Sequence, residues 1–146
     1  MKKGTWYITL AAVAGLGLMQ AVPYGRDHNN PAVVAEPQWD SPDTRELARR
    51  ACFNCHSFET VWPWYARYAP VSWLIARDVQ EGREKLNFSD WQGGTREGER
   101  PEEIEKEITE GEMPPFAYRL AHPEARLSAK QRKQLIEGLS ATLKGH

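Results

Sequence analysis

The chain has 146 residues, a formal net charge of −1, and 27% charged against 40% hydrophobic residues. That length fits one domain with appendages. The near-balanced charge includes no basic stripe of the kind that neutralises phosphates, which excludes nucleic acid as a partner.

Lys2 and Lys3 precede a charge-free run from Gly4 to Gly25. Its apolar centre, Trp6 to Val22, is close to the ~20 residues needed to span a bilayer. Two basic residues before an apolar segment make an export signal whose positive end stays cytoplasmic. Gln20 and Tyr24 stand where a cleavage site wants small residues, and Trp6 and Tyr7 suit an interfacial aromatic belt. The pattern favours an uncleaved signal-anchor over a cleaved signal peptide for residues 1–25. Without Lys2 and Lys3, 17 basic residues stand against 20 acidic ones, so the exported part is mildly acidic and selects no partner. Residues 26–40 read as a tether, with a turn at Asn29-Asn30-Pro31 and extended backbone at Glu36-Pro37.

A domain is expected over 41–146. Ser41 can cap a helix, Pro42 fits its first position, and Asp43 suits its positive end. Leu47, Ala48 and Ala51 give that helix a short apolar face leading into Cys52-Phe53-Asn54-Cys55-His56. This C-x-x-C-H is the attachment signature of c-type haem. Two thiols add across the two vinyl groups of the porphyrin, and the following histidine supplies an axial nitrogen to iron. Cys52 and Cys55 are the two cysteines of the chain. A structural zinc site needs four ligands, and Cys52, Cys55 and His56 supply three. A thioredoxin-like dithiol needs a βαβ context that is missing here, and a disulfide would not need His56. Bacterial c-type haem is attached outside the cytoplasm, in agreement with the export signal.

Trp62-Pro63-Trp64-Tyr65 is an aromatic cluster read as a loop, because Pro63 breaks a helix. Ser72 is expected to cap a second helix carrying Leu74, Ile75 and Val79 and ending near Gly82. Asn87 to Gly94 is a connector with Phe88 and Trp91. Pro101 opens a third helix with Ile104 and Ile108 at i and i+4, and Gly111 stops it. Ser128-Ala129-Lys130-Gln131 is a capping box for a last helix with the stripe Leu135, Ile136, Leu139, Leu143. No alternating strand is found. The fold expected is all-α: four or five short helices around one covalent haem, plus the N-terminal apolar helix. So thin a core leans on the haem, and the apo-protein is expected to fold poorly.

Elimination narrows the search for the second axial ligand, against the alternative of an ordinary core methionine. Of Met1, Met19 and Met113, the first two belong to the export segment. Met113 sits in Gly111-Glu112-Met113-Pro114-Pro115, where two prolines brace the loop, 57 residues after His56. A Met/His pair raises the haem potential. The rival is His122, which would give bis-histidine ligation; His28 and His146 read as solvated. Trp62, Trp64, Trp73 and Trp91 are expected against haem and core. Arg67 and Arg77 are candidates for the haem propionates, and Pro70 for a carbonyl that accepts from the His56 ring.

Cys52-Phe53-Asn54-Cys55-His56-Ser57, Trp62-Pro63-Trp64-Tyr65 and Ala69-Pro70-Val71-Ser72-Trp73-Leu74 are together similar to the bacterial haem-binding domain family of small cytochrome-c-like proteins. Leu86-Asn87-Phe88-Ser89-Asp90-Trp91, Gly111-Glu112-Met113-Pro114-Pro115 and His122-Pro123-Glu124-Ala125-Arg126-Leu127-Ser128 match it too. The resemblance runs from the apolar segment almost to the end of the chain. It implies one haem c, bound by Cys52, Cys55 and His56 with Met113 as sixth ligand, together with export and an N-terminal membrane anchor. The resulting expectation is a monohaem cytochrome, not an enzyme, that carries electrons among periplasmic or membrane redox proteins. It would sit in the inner membrane as a single-pass protein with its haem domain in the periplasm, or in the periplasm if the signal is cleaved. A haem sensor or small peroxidase-type enzyme with an open sixth site, and an assembly subunit of a respiratory complex, are the alternatives.

Overall fold

A computed structural model describes residues 2–91 and 100–144, with side chains from Gly4 onward. The end of the expected connector, Gln92 to Gly94, and His146 lie outside the described residues. Among the described residues the chain is all-α: α1 (Lys2–Met19), α2 (Pro42–Ala51), α3 (Phe53–His56), α4 (Val71–Lys85), α5 (Pro101–Glu110), α6 (Phe116–Ala121) and α7 (Ala129–Lys144). Two 3-10 turns, Trp64–Arg67 and Pro123–Ala125, complete it. The chain divides into two compact units, Met1–Asn29 with Trp62–Val79, and Asn30–Val61 with Gln80–His146.

In the first unit α1 exposes nearly all of its side chains, Trp6, Ile8, Val13 and Leu18 among them. No helix among the described residues is long and apolar enough to cross a membrane. Just past α1 the Gln20 side chain grips both backbone groups of Ala69. Its Nε2 donates to the Ala69 carbonyl at 2.9 Å, and its Oε1 accepts from the Ala69 N–H at 3.1 Å. Gly25, at φ +74°, brings the chain so close to α4 that a Cβ there would stand 2.3 Å from the Ser72 carbonyl oxygen. His28, expected in solvent, instead stacks on Trp62 at 4.5 Å with an 11° tilt. Pro63 does not leave a plain loop: it precedes the turn Trp64–Arg67. Ser72 is not a cap either. α4 starts one residue earlier, Ser72 N–H donates to Tyr68, and its buried hydroxyl has no partner among the described residues.

In the second unit the expected caps form. Ser41 Oγ accepts from Thr44 N–H at 3.2 Å, and Pro42 opens α2. The box at α7 is reciprocal: Ser128 N–H donates to Gln131 Oε1 at 2.9 Å, and Gln131 N–H to Ser128 Oγ at 3.2 Å. Gly111, at φ +80°, ends α5. α7 packs on α2 and on α5 around Leu47, Ile108, Leu135 and Leu139. Gly138 sets the α2–α7 approach, since a Cβ there would lie 2.0 Å from Thr44 Oγ1. Residues 30–40, expected as part of a tether, are tied down. Val34 and Ala35 donate to the Ser89 carbonyl, and Trp39 joins the core. Arg45 grips Glu36 through two bonds of 2.6 and 2.7 Å, and Trp39 Nε1 adds a third at 2.9 Å.

Two outcomes are expected. Gly138→Ala overfills the α2–α7 contact and lowers stability by about 1–3 kcal/mol; denaturant unfolding of the haem-loaded protein measures it, and Thr44→Ala in the same chain recovers part of the loss. Arg45, and then Trp39, hold the Glu36 carboxyl below its ordinary 4.5, while burial opposes them. A depressed carboxyl stabilises the fold above its unfolded value and loses that contribution as pH falls through the folded one. Glu36→Gln therefore costs at most about 1 kcal/mol at neutral pH, because the pair is partly exposed. It also removes that share of the stability loss below pH 4.5, as an acid titration of unfolding would show.

Candidate functional site

The C-x-x-C-H segment is a single helical turn continuing from α2. Cys52 is the last cap of α2, and its carbonyl accepts from both Cys55 N–H (3.1 Å) and His56 N–H (2.9 Å). Asn54, between the cysteines, is fixed on three sides. Its carbonyl accepts from Thr60 Oγ1, its Oδ1 from Val61 N–H, and its Nδ2 donates to the Tyr118 hydroxyl at 2.7 Å. Burial pushes that hydroxyl up to about 12, so it stays protonated. Ser57 Oγ closes the turn on the Phe53 carbonyl at 2.8 Å, and Arg83 Nε holds the Ser57 carbonyl at 2.8 Å.

The strap from Leu86 to Trp91 then holds His56 at two points. Phe88 N–H donates to the His56 carbonyl at 2.8 Å, and the Leu86 carbonyl lies 3.1 Å from His56 Nδ1. A carbonyl can only accept, so Nδ1 carries the proton and Nε2 keeps its lone pair. Burial pulls the imidazole below its ordinary 6.5, while bonds to the Leu86 and Gly82 carbonyls pull the other way. The strap is buried because its polar members are satisfied. Asn87 Oδ1 accepts from Ser89 N–H, and Ser89 Oγ accepts from Phe58 N–H. Phe53, Phe88 and Trp91 stack in series beneath the turn, at 5.4 and 6.2 Å.

Cys52, His56 and Met113 line one cavity of about 260 Å³. Its other walls are apolar: Leu86, Phe88, Ile104, Ile108 and Leu139. Lys85, Glu103 and Glu107 bring charge to it. Met113 is carried by the loop after α5, where its N–H donates to the Glu107 carbonyl at 3.0 Å and Arg119 holds the Gly111 carbonyl. The Met113–Pro114 peptide is cis.

Several expected residues lie elsewhere. Cys55 is on the same turn but does not line the cavity; its carbonyl packs against Gly82. The carbonyl facing the His56 ring belongs to Leu86, whereas that of Pro70 accepts from Trp73 and Leu74 N–H. His122 turns away from the cavity, stacked on Tyr118 at 4.1 Å, with Nδ1 2.8 Å from Glu124 Oε1. Neither Arg67 nor Arg77 lines the cavity, and Arg77 pairs with Asp78 at 3.0 Å. Trp91 is buried in the core, but Trp64 is 76% exposed and none of the four expected tryptophans lines the cavity. Gly82, expected only as the end of its helix, lies inside α4, and Lys85 carried no motif signal, because spacing does not show which residues of a helix meet a distant turn.

The sequence profile of the haem-binding domain family matches residues 14–141, and the chain belongs to that family. No curated protein and no solved structure matches it.

Gly82 is where α4 meets the C-x-x-C-H turn. A Cβ there would stand 2.5 Å from the Cys55 carbonyl oxygen and 3.1 Å from Cys55 Cβ. The first of these atoms is backbone and cannot rotate away. Gly82→Ala is expected to cost about 1–3 kcal/mol and to lower the haem-to-protein ratio of the matured protein. Unfolding midpoints and haem quantitation check it, with Lys133→Ala on the exposed side of α7 as an unaffected control.

Proposed function

For this member of the haem-binding domain family, we propose a monohaem c-type cytochrome that carries electrons in the periplasm, tethered by its N-terminal segment, with His56 and Met113 as axial ligands. The observation that carries this reading is that His56 and Met113, 57 residues apart in sequence, line the same apolar cavity as Cys52. The residues fit a covalent haem. Two thiols on one helical turn would form the thioethers, Cys52 from the cavity wall and Cys55 from the same turn. His56 is oriented by the Leu86 carbonyl so that an unprotonated Nε2 is its free donor, the usual way a ligating imidazole is fixed. Met113 brings a soft thioether to the same space.

Bound haem supplies a one-electron iron couple. What the chain supplies is a dry wall, a fixed imidazole tautomer and a thioether on a braced loop. Leu86, Phe88, Ile104, Ile108 and Leu139 exclude water on the ligand side, which favours the less charged ferrous state, as Met ligation also does. The cavity of about 260 Å³ falls below the ~300–1,000 Å³ of sites that enclose small molecules. A haem held by these residues would be enclosed only in part by the chain. Redox proteins of the membrane or periplasm are the partners, and a tether would raise their effective concentration. A protein with both axial positions filled carries electrons without being an enzyme.

The visible spectrum of the matured protein, with and without carbon monoxide, tests the reading. A low-spin spectrum with a sulfur-to-iron band, unmoved by carbon monoxide, is expected. Met113→Ala should abolish that band, lower the potential and admit carbon monoxide, whereas His122→Ala should leave all three unchanged. A wild-type iron that is high-spin, or that binds carbon monoxide readily, sinks the closed-iron carrier in favour of a sensor or enzyme.

A further inference from the structure

We propose that the Trp64–Leu74 face of the first unit rests in the headgroup layer of a phospholipid bilayer, docked there by the end of a retained α1. The inference rests on the tethered reading above and adds to it a surface that no family property assigns. Three observations within this one unit lead to it.

The first is the length of α1. Its 18 residues rise about 27 Å, short of the ~30 Å hydrocarbon core of a bilayer, and the helix is not apolar enough to cross one alone. It nonetheless exposes Trp6, Ile8, Val13 and Leu18, so an interface that takes up these side chains also draws in what is attached to the helix end.

The second is what is attached. Gln20, the residue after α1, binds both backbone groups of Ala69, so the 3-10 turn Trp64–Arg67 and the start of α4 are fastened at the helix end. Gly25 against Ser72 and His28 against Trp62 seal the same contact. A cleaved signal peptide has no use for such a joint, and the joint involves the very Gln20 that spoils the cleavage pattern.

The third is the character of the attached surface. Trp64 is 76% exposed, Tyr68 57% and Leu74 51%, and Val71 is exposed with them. The Trp64 ring meets Tyr65 and Tyr68 edge-on at 5.7 and 6.2 Å, so the aromatics form one cluster. Tryptophan and tyrosine favour the headgroup level, where the ring is apolar and the N–H or O–H stays wet. Arg67, exposed in the same turn, offers a cation to lipid phosphate.

The experiment uses the full haem-loaded chain in phosphatidylcholine–phosphatidylglycerol vesicles. With Cys52 and Cys55 held in thioethers, Trp64→Cys or Leu74→Cys provides one thiol for a nitroxide label, and Glu105→Cys on α5 is the water-facing control. Oxygen gathers in lipid and a nickel chelate stays in water. The labels at 64 and 74 should show a several-fold higher oxygen-to-nickel collision ratio than the label at 105, and Gln20→Ala should lower it at both. If the vesicles hold the protein but 64 and 74 are as open to nickel as 105, the lipid-facing surface is wrong and the tether stands. Spin–spin broadening between copies at 64 would replace the bilayer with a second copy of the chain. Protein that the vesicles do not hold at all overturns both the tether and this surface.

Discussion

Everything proposed for the site depends on one constraint, the grip of the Leu86–Trp91 strap on His56. The strap binds the backbone carbonyl through Phe88 N–H and faces the ring nitrogen with the Leu86 carbonyl. With the backbone held at one point and a ring nitrogen at the other, the imidazole is oriented and its tautomer is set. The strap itself can stay buried because Asn87 and Ser89 satisfy its own polar groups, and because Phe88 sits between Phe53 and Trp91. The orientation of His56 and the hydrophobic core are therefore one structure. A change in either is felt by the other.

The caps and the cofactor motif were legible in the sequence, since both are local chemistry. Ser41, Pro42, Gly111 and the Ser128–Gln131 box act within one turn of chain, and no tertiary contact competes with them. Met113 was reached by elimination and does lie in the cavity with His56. What spacing could not give is direction. Pro70 stands fourteen residues after His56, but its carbonyl is consumed by the first turn of α4. Leu86, thirty residues away, carries the facing carbonyl because α4 has to end before the chain can run back along the turn. α6 went unread because its six residues follow two prolines and expose Phe116 and Leu120, leaving no periodic apolar face to detect.

Glycine shows the same division between local and distant causes. Gly111 was legible as a helix stop because its left-handed backbone is a property of the residue itself. Gly82 and Gly138 lie inside helices, where glycine weakens the helix and sequence gives no reason for it. Their reason is the neighbour: the Cys55 carbonyl presses on one and Thr44 on the other. Each exchanges helix propensity for a close approach. Without Gly82 the C-x-x-C-H turn could not lie against α4, and the Leu86 carbonyl at the end of α4 would lose its place by His56.

The two aromatic blocks of the chain meet opposite fates for a physical reason. Asn87 and Ser89 flank Phe88 and accept from the backbone N–H groups of Ser89 and Phe58, so Phe53, Phe88 and Trp91 can be buried beside them. In Trp62-Pro63-Trp64-Tyr65 the proline supplies no N–H, and the 3-10 turn that follows makes few internal bonds. Such a backbone stays near water, and so do Trp64 and Tyr68. An aromatic surface held at the wet edge of a unit, fastened by Gln20 to an apolar helix, suits an environment that is apolar on one side and polar on the other. One set of rings thus stiffens the C-x-x-C-H turn and Trp64 and Tyr68 face outward, with the choice made by the polar residues between them.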